Sequence, residues 1–500
     1  GFILNVNEFN YIFTELLLNK DLIVMRRKFT ILHISDLHKP KNCNLDNLFY
    51  SLQSDCEGYM KEGILKPEII VISGDLAEGT KDCGDEAENI IKRQYSEVKR
   101  FLEKLTDYFL GGHKRRMVIV PGNHDYCYKV SKNSMELSPA ENAKDDRNKM
   151  KTAEPEVRWD WDDRRFYHVT NAHLYNTRFE LFREFYNDFY DGVRELPEDL
   201  ERDSYIVELN DYNTAFVCFN SCHRLDHLNP MGCICPDAVT RAHSQLLSLK
   251  NMGYLLVGVW HHHVSGLPIE NNYMDHRILN AMMREDIKIG MFGHQHVSDA
   301  IQEYSDITSH QRILLISSGS LYGNRHQLVT GVPRQYNIVG VDMADEEVTV
   351  RLNVRKDDSK YGYEIPEWKL SPIGMRNLLY YEHKLRIEKP QLEYVVEDIE
   401  KMVQKTGHYE VACMRLKEAG LENPVVLKYF DSYISKVKDV ELLRNLLKRP
   451  GTITQYVTAL DAAINAKDKE WIMALQGYEE FQESSPAYVK EMLEQAKKII

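Results

Sequence analysis

Five near-continuous apolar runs punctuate the chain: Phe29-Thr30-Ile31-Leu32-His33-Ile34, Ile69-Ile70-Val71-Ile72, Met117-Val118-Ile119-Val120, Leu255-Leu256-Val257-Gly258-Val259-Trp260 and Ile287-Lys288-Ile289-Gly290-Met291-Phe292. Short runs rich in β-branched residues and closed by Gly, Pro, Asn or Asp predict buried strands. Each run is followed at once by polar residues: Ser35-Asp36-Leu37-His38, Ser73-Gly74-Asp75, Pro121-Gly122-Asn123-His124-Asp125, His261-His262-His263 and Gly293-His294-Gln295-His296. Five strands thus deliver their last residues to one edge, where open α/β sheets place their chemistry.

Further strands are expected at Ala215-Phe216-Val217-Cys218-Phe219, ending in Asn220, and at Ile313-Leu314-Leu315-Ile316, ending in Ser318-Gly319-Ser320. Alternation at Tyr336–Val341 and Glu347–Leu352 fits the closing hairpin of a second sheet. Almost ninety residues separate the Gly-Asn-His-Asp turn from the strand at Ala215, so an insertion over about residues 126–210 is inferred. Its polar first part, Lys129 to Glu156, reads as a mobile loop. Its second part, from Trp159 through Tyr190, is dense in aromatics. Phe182, Phe185, Tyr186 and Phe189 follow helical spacing, which favours a helix packed on the core. The competing reading is a lid or base-stacking surface, with Arg164, Arg165, Arg178 and Arg183 interleaved.

Beyond about Pro372 the apolar periodicity becomes helical, and residues 370–500 read as an all-helical domain of five or six helices. The expected organisation is an N-terminal extension over residues 1–27, a catalytic domain over 28–355 and this helical domain, which serves a protein partner or self-association. Residues 1–24 read as a tag scar with upstream sequence, or as a short helical arm.

Charge and cysteines narrow the field. The net charge is −13, and the helical tail is nearly balanced, so the negative charge belongs to the catalytic part. That argues against a surface that grips nucleic acid everywhere. Nine cysteines, an odd number without paired spacing, indicate a reducing compartment. Cys233-Ile234-Cys235-Pro236 is too short a signal for a metal site. No run approaches the length of a membrane span, and the expected location is cytoplasmic.

The polar endings carry the chemistry. Imidazoles mixed with carboxylate and amide oxygens suit Mn, Fe or Zn better than Mg or Ca. Taken in order, Asp36-x-His38, Gly74-Asp75, Gly122-Asn123-His124-Asp125, His261 and Gly293-His294-x-His296 resemble the calcineurin-like metallophosphoesterase superfamily over roughly residues 28 to 350. The resemblance implies an α/β fold, a two-sheet αββα sandwich, here with a C-terminal all-α domain. It implies two divalent metal ions, with Mn expected. Asp36, His38 and His296 would hold one ion, Asn123, His261 and His294 the other, and Asp75 would bridge them. It implies attack on a phosphoric ester by metal-bridging hydroxide.

His124 is then left to contact the phosphate or to protonate the leaving oxygen as general acid, with Asp125 orienting its imidazole or stabilising the turn. Family members commonly carry proline within two residues of the fourth histidine, whereas this chain has three histidines and Val264. His261 follows the family pattern; His262 is the alternative ligand or faces substrate. His33 reads as a hydrogen-bonded core residue. Aspartate at 125, where protein phosphatases usually carry glutamate, tilts the expectation toward a phosphodiester, either nucleotide or nucleic acid, with an ATPase partner as in repair nucleases for the latter. The alternatives are a phosphomonoesterase or protein phosphatase, and a catalytically silent scaffold of a multi-protein complex.

Overall fold

The computed structural model describes residues 26–38, 45–152, 155–266, 271–299, 302–306, 311–323, 327–344, 346–359, 365–372, 378–389, 391–478, 481 and 487–500. The expectation for residues 1–24 lies outside them. The described residues fall into two compact units, Arg26–Glu388 and Lys389–Ile500.

In chain order the strands are β1 Arg26–Ile34, β2 Ile69–Ile72, β3 Met117–Ile119, β4 Met135–Leu137, β5 Val157–Asp160, β6 Arg165–Val169, β7 Tyr205–Leu209 and β8 Thr214–Cys218. They continue as β9 Leu255–Val259, β10 Ile289–Phe292, β11 Gln302–Asp306, β12 Gln311–Ser317, β13 Gln335–Ala344, β14 Glu347–Asp357, β15 Trp368–Leu370 and β16 Tyr381–Arg386. One sheet has the order β15-β14-β13-β1-β2-β3, with β16 also on β14; the other has the order β11-β12-β10-β9-β8-β7. The two sheets pack on one shared core as an α/β sandwich.

Pairing aligns the functional ends within each sheet, and the shared core sets the two sheets together. β1, β2 and β3 are parallel, as are β8, β9, β10 and β12. Parallel neighbours require crossovers, supplied by Leu45–Gly58, Ala87–Leu110, His243–Asn251 and Ile278–Arg284. Strands covered on both faces need apolar residues throughout, and β2, β8, β9 and β10 are buried at every position. Leu32, Val71, Phe216, Val257 and Ile289 share a single core across both sheets.

Three expectations change. The hairpin β13–β14 does not close the second sheet: β13 runs antiparallel to β1, with Phe29 opposite Val341 and Leu32 opposite Ile338, and so widens the sheet that carries Asp36. The polar stretch after Lys129 is built around a buried carboxylate, not an open loop. Asp146 accepts from Ser138 Oγ at 2.5 Å and pairs with His168 Nε2 at 2.8 Å, and β4, β6 and β5 form a small sheet there. Finally, β16 lies within the segment read as helical and pairs with β14.

The aromatic helix Glu180–Tyr190 buries Phe182, Phe185, Tyr186, Phe189 and Tyr190. Phe185 stacks on Tyr95 of Ala87–Leu110 with ring centroids 4.7 Å apart. These five rings are core and offer no stacking surface. Arg178, one of the interleaved arginines, is also buried, donating from Nε to the Leu225 carbonyl and ion-paired with Glu201.

The unit Lys389–Ile500 contains seven helices among its described residues. Asn423, Asp439, Thr452 and Asp468 cap four of them by accepting backbone N–H bonds. Ile399, Leu416, Phe430, Tyr456, Leu460 and Ile472 centre a separate core.

Candidate metal centre and cleft

The chain turns sharply where β1, β2 and β10 end. Asp36, His38, Asp75, His294 and His296 all have left-handed backbones, with φ of 53°, 41°, 54°, 75° and 56°. Such conformations cost roughly 1–3 kcal/mol each for residues other than glycine. Surrounding bonds hold them: Asp36 N donates to the Gly74 carbonyl at 3.2 Å, His38 N to the Asp75 carbonyl at 3.0 Å, and Ser320 Oγ to the Asp36 carbonyl at 2.8 Å. Ser318 Oγ likewise donates to the His33 carbonyl, so the Ser-Gly-Ser stretch braces the site from β12.

Two clusters of ligand atoms result. In the first, His38 Nε2 lies 3.0 Å from His296 Nε2, 3.5 Å from Asp36 Oδ1 and 3.6 Å from Asp75 Oδ2, while His296 Nε2 is 3.2 Å from Asp36 Oδ1. In the second, Asn123 Oδ1 is 2.9 Å from His261 Nε2 and 2.8 Å from His294 Nδ1, and those two nitrogens are 3.2 Å apart. His261 Nε2 is 3.3 Å from Asp75 Oδ2. One carboxylate oxygen is therefore common to both clusters. Edges of this length surround a point about 2 Å from each atom, the distance at which Zn binds N and O donors.

Fit to cations also shows in what lacks a partner. Asp36 Oδ1 is buried without a hydrogen-bond donor, although its other oxygen accepts from His294 N at 3.0 Å. A bare buried carboxylate oxygen is costly unless a cation faces it. The histidine tautomers agree: His261 Nδ1 donates to the Ser73 carbonyl at 2.7 Å and His296 Nδ1 to the Gln327 carbonyl, which leaves both Nε2 lone pairs facing the cluster. Burial opposes protonation of His261, but the Asp75 carboxylate outweighs it and lifts the imidazole to about 9, so a metal ion would reach the Nε2 lone pair in exchange for a proton. Burial and the charge of His261 press His294 down to about 3. These opposed shifts describe imidazoles crowded around carboxylates that would otherwise neutralise cations.

Glycines make the crowding possible. A Cβ on Gly293 would lie 1.9 Å from Ser35 Oγ and 2.5 Å from Asp36 Oδ2, and one on Gly122 would lie 2.1 Å from Asp75 Oδ1. Gly293→Ala should displace Asp36 and weaken divalent-metal binding by about tenfold or more, the scale of losing a ligand's support. Calorimetric titration of the metal-depleted protein measures this, and an unchanged affinity would show that the turn yields without cost.

His124 stands beside the clusters. A ring nitrogen lies within 4.8 Å of the ligand atoms of His38 and Asp75, and Nδ1 donates to the Glu78 carbonyl at 2.9 Å, leaving Nε2 for the cleft. Asp125 does not touch that imidazole. It is buried and accepts from Gly122 N, Ala77 N, Leu76 N and Tyr95 Oη, so it staples the β2 and β3 turns together. Burial and the nearby Asp75 charge raise it to about 6.

His262, expected to ligate or to face substrate, lies behind the second cluster, its ring centroid 4.6 Å from that of His294 and its Nε2 buried without a hydrogen-bond partner. It is fully buried, and Ser221 Oγ, which accepts from His261 N and His262 N, donates to its Nδ1 at 2.9 Å. His33 bonds to Ser73 Oγ at 3.0 Å inside the core, and Asn220 Oδ1 caps Cys222 N.

Above the clusters opens a cleft of about 1050 Å³. Its walls include Asn123, His124 and His294, the loop residues Glu78 and Lys81, Tyr126 and Tyr128 of the insertion, and Leu225, His227 and Pro230. The sequence offered no motif for His227, Tyr128 or the Ser73 and Gln327 carbonyls; each acts through where the chain is folded.

The calcineurin-like phosphoesterase family is matched over residues 29–298. No curated protein matches the sequence. Among solved structures, the chain is similar to GAP50, the anchor in the inner membrane complex of Plasmodium, at 14% identity over 74% of this chain and 94% of that one, with a TM-score of 0.30. It is also similar to a dimetal phosphatase from Danio rerio, at 13% identity over 64% and 95% with a TM-score of 0.31, and to PhoD, at 10% identity over 69% and 71% with a TM-score of 0.35.

Proposed function

Because the chain belongs to the calcineurin-like phosphoesterase family, we propose that it is a dinuclear-metal phosphoesterase that cleaves phosphodiesters, with Asp36, His38 and His296 as ligands of one ion, Asn123, His261 and His294 as ligands of the other, and Asp75 between them. The observation that carries this reading is Asp75 Oδ2, which lies 3.6 Å from a histidine nitrogen of one cluster and 3.3 Å from one of the other. When bound, two divalent cations, Mn foremost, supply charge that polarises a phosphoryl oxygen and acidifies water for in-line displacement.

The protein's part is positional. Second-sphere carbonyls fix the imidazoles of His261 and His296, and the backbone turns hold Asp36 and Asp75 against the clusters. His124, with Nδ1 donating to a carbonyl, carries its proton on Nε2 when cationic and delivers it to the departing oxygen. Five ligand residues held in left-handed conformations support a built metal site.

The cleft is far larger than a phosphate requires and supports a diester with groups on both sides. Its charged lining includes Glu78, Lys81 and Asp162, a mixture that favours a small diester over a long polyanion. The helical unit, with its own core, serves a protein partner or self-association. No described helix is long and apolar enough to cross a membrane.

The test is hydrolysis of bis(p-nitrophenyl) phosphate and p-nitrophenyl phosphate by metal-depleted protein resupplied with Mn, Zn, Fe or Mg. Metal-dependent turnover with the diester preferred is expected. Preference for the monoester would move the protein to the phosphomonoesterases, and no turnover with any metal would count against an enzyme.

A further inference from the structure

The cleft lined by His124, the proposed general acid, is also lined by Tyr126, Tyr128 and His227. Two of these rings pair with each other in its wall. Tyr128 opens the helix Tyr128–Asn133, and its ring centroid lies 5.4 Å from that of His227 at an interplanar angle of 66°. An edge-to-face pair leaves ring faces uncovered, and both side chains are only half-buried.

The wall is built rigidly. Ser131 Oγ pairs with His227 Nδ1 at 2.8 Å, and it also accepts from His227 N. Arg158, 5% exposed, donates from Nε to Asp226 Oδ2 at 2.7 Å, and Tyr175 Oη donates to the same oxygen at 2.9 Å. Asp226 Oδ1 in turn accepts from Leu228 N and Asn229 N. Together with the Arg178 bond to the Leu225 carbonyl, these contacts clamp the loop that carries His227 onto the inserted segment. A buried ion pair with a second donor is an expensive device for a loop with nothing to position.

Resting on the phosphodiesterase reading, we infer that Tyr128 and His227 form a leaving-group subsite for a planar aromatic moiety of nucleobase size, so that the inserted segment confers a preference for small nucleotide-like diesters. Stacking tolerates any flat ring, and Lys81 on the cleft wall adds a cation for a polar edge or a second anionic group.

The discriminating probes are AMP and ribose 5-phosphate, which share phosphate and sugar and differ only by the base. Calorimetric binding to the full chain should be about tenfold tighter for AMP, the low end of the range for stacking a base. Tyr128→Leu and His227→Leu should each bring AMP close to ribose 5-phosphate, while Tyr128→Phe, which keeps the ring, should hold the preference. Two leucine variants at separate positions guard against one that fails to fold, and thermal melts identify such a case. Equal binding of the two probes by the wild-type protein, or a preference that survives both leucine variants, overturns the subsite. AMP preference without any diester cleavage would refute the phosphodiesterase reading and leave the subsite standing; cleavage without AMP preference would do the reverse.

Discussion

Asp75→Asn is expected to lower metal-dependent diester hydrolysis by about a thousandfold or more, equivalent to roughly 4 kcal/mol of transition-state stabilisation. The substitution is nearly isosteric, so the effect is chemical. Asp75 Oδ1 accepts from His124 N at 2.8 Å. An asparagine must therefore place its carbonyl oxygen there and turn its NH₂ group to the position of Oδ2, the atom shared by both ligand clusters. An amide nitrogen donates hydrogen bonds and carries no charge, so neither cluster keeps its common ligand. A second readout separates lost metal from lost chemistry. Mn bound at a hundred times its dissociation constant stabilises a folded protein by about 2.7 kcal/mol. The wild-type melting temperature should rise accordingly, and the variant's rise should be much smaller. Retained turnover in the variant would remove Asp75 from the centre of the proposal.

Most of the fold was legible because the same residues obey two constraints at once. β2, β9 and β10 are apolar throughout because both faces are covered, and polar at their ends because the chain leaves the core there. Parallel pairing aligns the ends within each sheet, packing of the two sheets on one core brings the two sets together, and the seven residues expected as ligands do converge. Three features resisted. The left-handed conformations of Asp36, His38, Asp75, His294 and His296 leave no compositional trace, since they are imposed by tertiary bonds on residues that would not choose them. Adjacency left roles open at Asp125 and His262: Asp125 takes the turn-stabilising one of its two expected roles, bonding back to the β2 loop, while His262 lies buried against Ser221. Polar composition misled between Lys129 and Glu156, where Asp146 with Ser138 and His168 supplies the order that apolar burial usually provides. The cleft wall was invisible for the same reason, because Tyr128 and His227 meet only across the fold.

His124→Ala should produce a loss that depends on the leaving group. With a nitrophenolate, which departs near neutrality without a proton, about a tenfold decrease is expected. For a diester with an alkyl or sugar leaving group the decrease should approach the 10²–10⁴ range typical of general acid catalysis. The geometry requires this separation if the imidazole acts on the departing oxygen. Nδ1 is engaged by the Glu78 carbonyl, so Nε2 is the nitrogen that carries a transferable proton toward the cleft. In the proposed ligand assignment both clusters are complete without this ring, so its removal should leave metal binding intact. Rates for a series of diesters sharing one non-leaving group, plotted against leaving-group basicity, should fall more steeply for the variant than for the wild type. Parallel lines would mean that His124 holds the phosphoryl group through a charge or hydrogen bond and gives up no proton, and the general acid would then have to be sought among the other groups on the cleft wall, His227 first.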